Sequence, residues 1–355
     1  MKTKAFQQHI DHAAAWRADQ FNWADVIFEF SVEHRRVLES ALAKVNHAGL
    51  KLEEISSDNF DLSEMAEDLS DWYDRVMHGS GLVLLEGFPV EQYSTENLER
   101  MYWGFGCYFG QGVSQSVLGD IVGHVTDMAG KDPNERAYRS SLELPPHTDH
   151  TDIIGMLSIR AAKQGGLSTY TSALAMHNEL LEHHPELLEP LYQGYYMHLF
   201  GEQEPEQPPV TPYRVPVLFE KDGFVSARIV PEYIDMAEVE LDEPMSALER
   251  AAFDEFVRLS QDPSLQVSIM LQPGDITLTN NHTILHSRTA FFDHDEMEHR
   301  RYLLRLWLVA PDQRPLPEEL QEVHSKGIDI QPGRDTYFEG ETATVANRGR
   351  YGASD

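Results

Sequence analysis

The chain has 355 residues, 41% of them hydrophobic and including 16 Phe, 14 Tyr and 5 Trp, which is enough to bury a large core and too apolar for intrinsic disorder. Its 28 Lys and Arg stand against 59 Asp and Glu, and the formal net charge of −31 opposes binding to nucleic acid or anionic lipid, both of which are reached through cations. A single cysteine, Cys107, excludes an internal disulfide and thiolate-rich zinc or iron–sulfur sites, so a metal here must use His and carboxylate ligands.

Residues 1–78 read as an N-terminal helical region. MKTKAFQQHIDHAAAW lacks the apolar core of a signal peptide, VIFEFSVEHRRVLESALAKV mixes polar and apolar residues at helical spacing, and SEMAEDLSDWYDRVMHG closes on a glycine stop. No run approaches the length of a membrane span, so a cytoplasmic protein with no membrane partner is expected. GLVLLEGFPV at 81–90 suits a buried strand, and STENLERMYWGFGCYFG starts a helix with Ser94 as N-cap. The aromatics of that helix, Tyr102 to Phe109, read as packing core. From Gln111 to about Ile159 come short strands and loops. SALAMHNELLEHHPELLEPLYQ at 172–193 returns to helical periodicity, GEQEPEQPPVTPY is a proline-rich acidic loop suited to a lid, and PVLFEKDGFVSARIV is a hairpin through Asp222-Gly223. A helix is expected over 241–263, with Pro244 near its first turn, then strands in VSIMLQPGDITLTNNHTILHS and RRYLLRLWLVA.

Strands cluster in the middle and near the end and do not alternate with helices. The pattern predicts an α+β chain with an antiparallel β core dressed with helices. The helical region 1–78 and a polar tail, 312–355, are expected to pack on one core unit, 79–311.

Within that unit, PPHTDHTDIIGM contains one tripeptide twice, His147-Thr148-Asp149 and His150-Thr151-Asp152. A mononuclear non-haem Fe(II) site needs two His and one carboxylate, with positions left for a chelating cosubstrate and O₂. An H-x-D step can offer two of these ligands, because residues i and i+2 of a strand share a face. With 17 His in the chain the step also recurs by chance, as at His9/Asp11, and spacing alone does not select a copy. His286, in the strand-like run TLTNNHTILHSRT, can supply the third ligand, with His282 competing. Arg301, in the next apparent strand, can hold the C5 carboxylate of 2-oxoglutarate through two parallel bonds.

The pieces ELPPHTDHTDIIGML, AAKQGGLST, PGDITLTNNHTILHSRTAFFD and RRYLLRLWL resemble the TauD/TfdA family of Fe(II)- and 2-oxoglutarate-dependent dioxygenases, with its clavaminate-synthase-like relatives. The similarity runs from residue 81 to 308. It implies a double-stranded β-helix (jelly roll) and an oxygenase that converts 2-oxoglutarate and O₂ to succinate and CO₂. A C–H bond of a small molecule, a carboxylate or amino-acid-like compound, is oxidised in the process.

Counted back from the family's Gly-Gly turn, here Gly165-Gly166-Leu167-Ser168, His147 and Asp149 match the metal ligands and His286 the distal one. Period-two alternation then turns His150 and Asp152 away from the iron. The resemblance assigns 2-oxoglutarate to Arg301, to Ser168 or Thr169, and to Arg305. Substrate contacts are expected among Gln115, Tyr138, Arg288 and Arg305, while Asn280 and Asn281 are placed to satisfy backbone groups around the His286 strand. Asp149 stands where halogenating relatives leave room for halide, which favours hydroxylation or a related oxidation. A homo-oligomer is compatible with the family. Two other readings stay open, a cupin-type metal enzyme without 2-oxoglutarate and a non-catalytic binding protein on the same fold.

Overall fold

The computed structural model describes residues 4–127, 140–204, 206–321 and 326–331. Ser31 starts α1 (Val32–His47) by accepting the His34 amide while the His34 ring takes the Ser31 amide. Helices α2 (Ala66–Met77) and α3 (Thr95–Gly106, capped by Ser94) follow, with strands β1 (Ile27–Glu29) and β2 (Leu82–Glu86) before and between them. Next come β3 (Gln111–Gly112), β4 (Gly123–Thr126), β5 (Leu144–His147), β6 (Ile153–Arg160), β7 (Gln164–Gly165) and β8 (Ser168–Ser172). Helices α4 (Ala173–His183) and α5 (Leu188–Gln193) lead to the hairpin β9 (Leu218–Lys221) and β10 (Phe224–Ala227), then to α6 (Pro231–Leu241) and α7 (Ala247–Ser260). β11 (Gln266–Ile269), β12 (Ile276–Asn280), β13 (Ile284–Arg288), β14 (Phe291–Phe292) and β15 (Tyr302–Val309) complete the sheets, and α8 (Glu318–Gln321) lies in the tail.

The larger sheet runs β1-β2-β12-β6-β15-β3, with β4 also on β15; the smaller runs β11-β8-β13-β5. Together they form the double-stranded β-helix. Period-two alternation sorts the larger sheet's side chains. Leu304, Leu306 and Leu308 of β15, with Leu157 of β6 and Leu278 of β12, bury against α1, α2 and α3. Arg305 of β15, Ile154 and Met156 of β6, and Thr277 and Thr279 of β12 point the other way and line a cavity shared with the smaller sheet. Behind the smaller sheet, α4, α5 and α7 pack on Leu285. Of the aromatics on α3 and just after it, Tyr102, Trp103, Phe105 and Phe109 are buried and Tyr108 is half-buried.

Several local expectations need correction. The stretch read as helical from Val26 holds β1, because Ile27 and Phe28 pair in parallel with Leu84 and Leu85. The helix expected over 241–263 starts only at Ala247, where Ser246 and Glu249 form a reciprocal cap that Pro244 precedes. Ahead of it lies α6, which was not expected although Pro231 at its first turn is a start signal. The 172–193 helix breaks before Pro185, where His184 leaves helical geometry. TLTNNHTILHSRT is two strands in different sheets, with a turn between Asn280 and Ile284. In the tail, Leu320 and Ile328 are buried. No helix among the described residues is long and apolar enough to cross a membrane.

Candidate active site

Strand β5 ends on His147, which lies directly opposite His286 of β13 in the antiparallel register. Their rings sit 4.3 Å apart between centroids. His147 Nδ1 is 2.8 Å from the Pro145 carbonyl, which can only accept, so Nδ1 carries the hydrogen and a lone pair is left on Nε2. That Nε2 is 3.7 Å from Asp149 Oδ1, and His286 Nε2 is 3.7 Å from Asp149 Oδ2. One ligand atom from each of the three residues lies within 4.8 Å of the others, and no other such group occurs among the described residues. Burial, helped by the neighbouring His286, pushes His147 down to about 4, so its imidazole is neutral near pH 7. Burial alone would raise Asp149, but Arg305, His286 and His147 outweigh it and hold the carboxyl well below the usual range. Two imidazoles and one carboxylate converge here, His147 and Asp149 buried and His286 half-buried, and such a donor set suits an Fe(II) site.

The loop carrying Asp149 is clamped from several sides. The Asn281 side chain accepts from the Asp149 amide at 2.9 Å and donates to the carbonyls of Asp149 and, at 2.7 Å, Thr151. Arg228 also donates to the Asp149 carbonyl. Trp307 Nε1 donates to Asp149 Oδ2 at 2.8 Å and Arg305 Nη1 to the same oxygen at 3.2 Å. Gln115 braces Arg305 in turn, accepting from its Nε at 2.8 Å and donating to its carbonyl at 2.9 Å. Arg228 and Trp307 escaped sequence reasoning. The signal for Asn281 was present, five residues before His286, but it serves the opposite loop and not the His286 strand.

A cavity of about 50 Å³ opens beside the two imidazoles, lined by Val125, Leu144, Met156, Ser168, Arg288 and Arg301 among others. Arg301 is buried, and its Nη1 has no hydrogen-bond partner among the described residues. Burial lowers its pKa to about 10, so it is charged near neutrality. The Gly-Gly turn makes room for it: a Cβ at Gly166 would lie 3.2 Å from Arg301 Nε, and Gly165 and Gly166 both have φ of +77°. A desolvated guanidinium with unspent donors is suited to a carboxylate. Ser168 faces this cavity, whereas the Thr169 hydroxyl is hydrogen-bonded to that of Ser287. Arg288 lines the cavity too, while its Nη2 donates to the carbonyls of Ser140 and Leu142. Gln115 does not line it, Tyr138 lies outside the described residues, and no described residue of the 201–213 loop is among the lining.

The second tripeptide is not turned to the surface. β5 stops at His147, so strand alternation does not reach His150, which is buried with its ring 6.4 Å from those of Tyr233 and Trp307. Asp152 accepts from His282 Nε2 at 2.7 Å, from the Ala310 amide at 2.9 Å and from Gln313 at 3.3 Å. His282, the competing distal histidine, is thereby committed to Asp152. His9, His183 and His184 are exposed.

Residues 46–307 match the model of the taurine catabolism dioxygenase TauD, TfdA family. The chain is 29% identical over 308 residues to FR-33289 synthase of Streptomyces rubellomurinus, covering 85% of this chain and 89% of that protein. It is 28% identical over 316 residues to the taurine hydroxylase-like protein SAT17 of Stachybotrys chartarum, covering 84% and 79%. Among solved structures it resembles asparagine oxygenase in complex with Fe(II), 2S,3S-3-hydroxyasparagine and succinate, with a TM-score of 0.62, 15% identity and coverage of 80% of this chain and 93% of that one. It also resembles the non-heme iron oxygenase OrfP in complex with Fe and alpha-ketoglutaric acid, with a TM-score of 0.59, 12% identity and coverage of 85% and 99%.

Proposed function

The chain belongs to the taurine catabolism dioxygenase TauD, TfdA family, and we propose that His147, Asp149 and His286 hold the Fe(II) of its reaction while Arg301 anchors 2-oxoglutarate. As a member it is an Fe(II)- and 2-oxoglutarate-dependent oxygenase of a small molecule. Bound at this site, iron with 2-oxoglutarate and O₂ supplies the oxidant that attacks an unactivated C–H bond, as 2-oxoglutarate is converted to succinate and CO₂.

The protein's own part is placement. The Pro145 carbonyl fixes the His147 tautomer so that the Nε2 lone pair would be free for a metal, and the two donors on Asp149 Oδ2 set the carboxylate's rotation. Arg301 would take a carboxylate of 2-oxoglutarate and Ser168 would offer a hydroxyl, with Val125, Leu144 and Met156 as the apolar lining of the same cavity. Gln115 and Arg305 act on Asp149, and Arg288 steadies the 140–142 segment that leads into β5. The observation that carries this reading is Arg301, a buried cation with unspent donors in the cavity that also holds both imidazoles. Neither a cupin-type enzyme without 2-oxoglutarate nor a non-catalytic protein needs such a group.

Asparagine oxygenase and OrfP occur in solved structures with hydroxyasparagine and hydroxyarginine, which supports an amino-acid-like or carboxylate substrate here. The charge of −31 fits a protein with no nucleic-acid partner, and we read it as cytoplasmic and compatible with a homo-oligomer. Anaerobic addition of Fe(II) and 2-oxoglutarate should give a weak visible charge-transfer band that His147→Ala loses. Absence of the band from the wild type, or its persistence in the variant, sinks the assignment. Metabolites that stimulate succinate release then identify the substrate.

A further inference from the structure

The family match ends at residue 307, yet the chain continues to a segment that returns to the site from outside. Ile328 is buried in one apolar cluster with Val113, Val117, Ile154 and Trp307, the residue whose indole holds Asp149 Oδ2. Residues 327–331 are fastened as a strap. The Ile328 amide donates to the Ser114 carbonyl at 2.9 Å and the Gln331 amide to the Val117 carbonyl at 2.8 Å. The Gln331 side chain reaches the carbonyls of Glu202 at 2.9 Å and Gln203 at 3.3 Å. Gly327 permits the approach. Its φ is +89°, and a Cβ there would lie 2.7 Å from both Ser114 O and Val113 Cβ.

The segment the strap presses on, 113–117, also carries Gln115, the brace of Arg305. Arg305 stacks on the Trp307 ring, 5.0 Å from its centroid. Both donors to Asp149 Oδ2 therefore rest on one wall, and the strap closes that wall. An indole with a void beside it can tilt, and a tilt of a few tenths of an ångström is felt at a 2.8 Å hydrogen bond.

We propose that residues 327–331 are a positioning element for the metal-binding carboxylate, with Ile328 holding Trp307 against Asp149. This rests on the reading of Asp149 as a ligand. Ile328 touches no reacting atom and acts chiefly through the cluster that holds Trp307.

The test uses the full chain, metal-free, titrated anaerobically with Co(II) in place of Fe(II) and without 2-oxoglutarate, with d–d absorption and affinity both recorded. Trp307→Phe keeps an aromatic ring, though a smaller one, and removes the donor. It and Ile328→Ala should each weaken Co(II) binding about tenfold and alter the d–d bands, as loss of an outer partner does. Ile328→Val, which keeps most of the contact, should restore both. If the strap acts through the indole, the double variant stays within about threefold of Trp307→Phe alone. Wild-type affinity in Ile328→Ala overturns the inference, as do fully multiplying effects in the double variant. Asp149→Ala separates the two levels: unaltered Co(II) binding there overturns the ligand reading and the inference with it. Loss there with no change in Ile328→Ala overturns the strap alone.

Discussion

His147-Thr148-Asp149 and His150-Thr151-Asp152 are the same tripeptide in succession, and the structure gives them opposite fates. Asp152 meets His282 at 2.7 Å and two further donors, so its oxygens are spent on protein. Asp149 meets His147 and His286 at 3.7 Å each, too long for hydrogen bonds and well spaced for something between. A carboxylate and an imidazole at 2.7 Å make a closed structural pair, and the same groups held apart by their surroundings make an open site. What separates the copies is the scaffold around them. Asn281, Arg228 and Trp307 grip Asp149 on its carbonyl and Oδ2, whereas the donors on Asp152 Oδ2, the Ala310 amide and Gln313, leave its Oδ1 turned to His282.

The contrast can be broken most severely at Asp149. Asp149→Ala should lose turnover and the charge-transfer band altogether, while Asp152→Ala, assayed where it remains folded, keeps the band; loss of iron in both would erase the distinction. The counterpart is stability. Asp152→Ala leaves a buried neutral His282 and the Ala310 amide without their acceptor, and should cost about 1–3 kcal/mol for each stranded group in urea unfolding, whereas an unchanged midpoint would mean the second copy is not structural. On the open side, Arg301→Ala should raise the half-saturating 2-oxoglutarate concentration about 10- to 100-fold, the worth of a charge-assisted pair, with the band recovered at saturation. Asn281→Ala should weaken Fe(II) binding about tenfold, as loss of a partner that orients a ligand loop does, readable by competition with a chromophoric chelator.

The smallest effect is on pH. Burial lowers His282 below its ordinary 6.5, although Asp152 pulls the other way. Below about pH 6.5 the unfolded chain takes a proton there that the folded chain refuses, so stability falls as pH falls. His282→Gln should flatten that slope in urea unfolding between pH 7 and 5, and an unaltered slope would show that other groups set it.

The jelly roll was legible through the family resemblance, and the meeting of His147, Asp149 and His286 near Arg301 through patterned stretches: a tripeptide before a strand, a histidine after PGD, an arginine in a β-rich run. The fate of His150 was not legible. Alternation was applied past the end of β5, and a loop obeys no period. Nor was the separation of His282 from His286, since a turn of polar residues between two strands has the same composition as one longer strand. Arg228 and Trp307 were hidden for another reason. Arg228 acts on a main-chain carbonyl and Trp307 from a distant strand, and neither contact leaves a local pattern. The short β1 was masked by the helical spacing that follows it, because its pairing is with residues more than fifty positions away.

One consequence of the layout remains. His147 and His286 belong to the smaller sheet, while Asp149 is gripped from β15 of the larger one. An ion shared by the three is therefore a buckle across the mouth of the sandwich. Because only the fastened form has the buckle, free metal at a hundredfold excess over its dissociation constant adds about 2.7 kcal/mol to folding. Iron scarcity then does more than idle the enzyme. If the three residues hold iron as proposed, its removal also lowers folding stability, which thermal unfolding with and without Fe(II) would read.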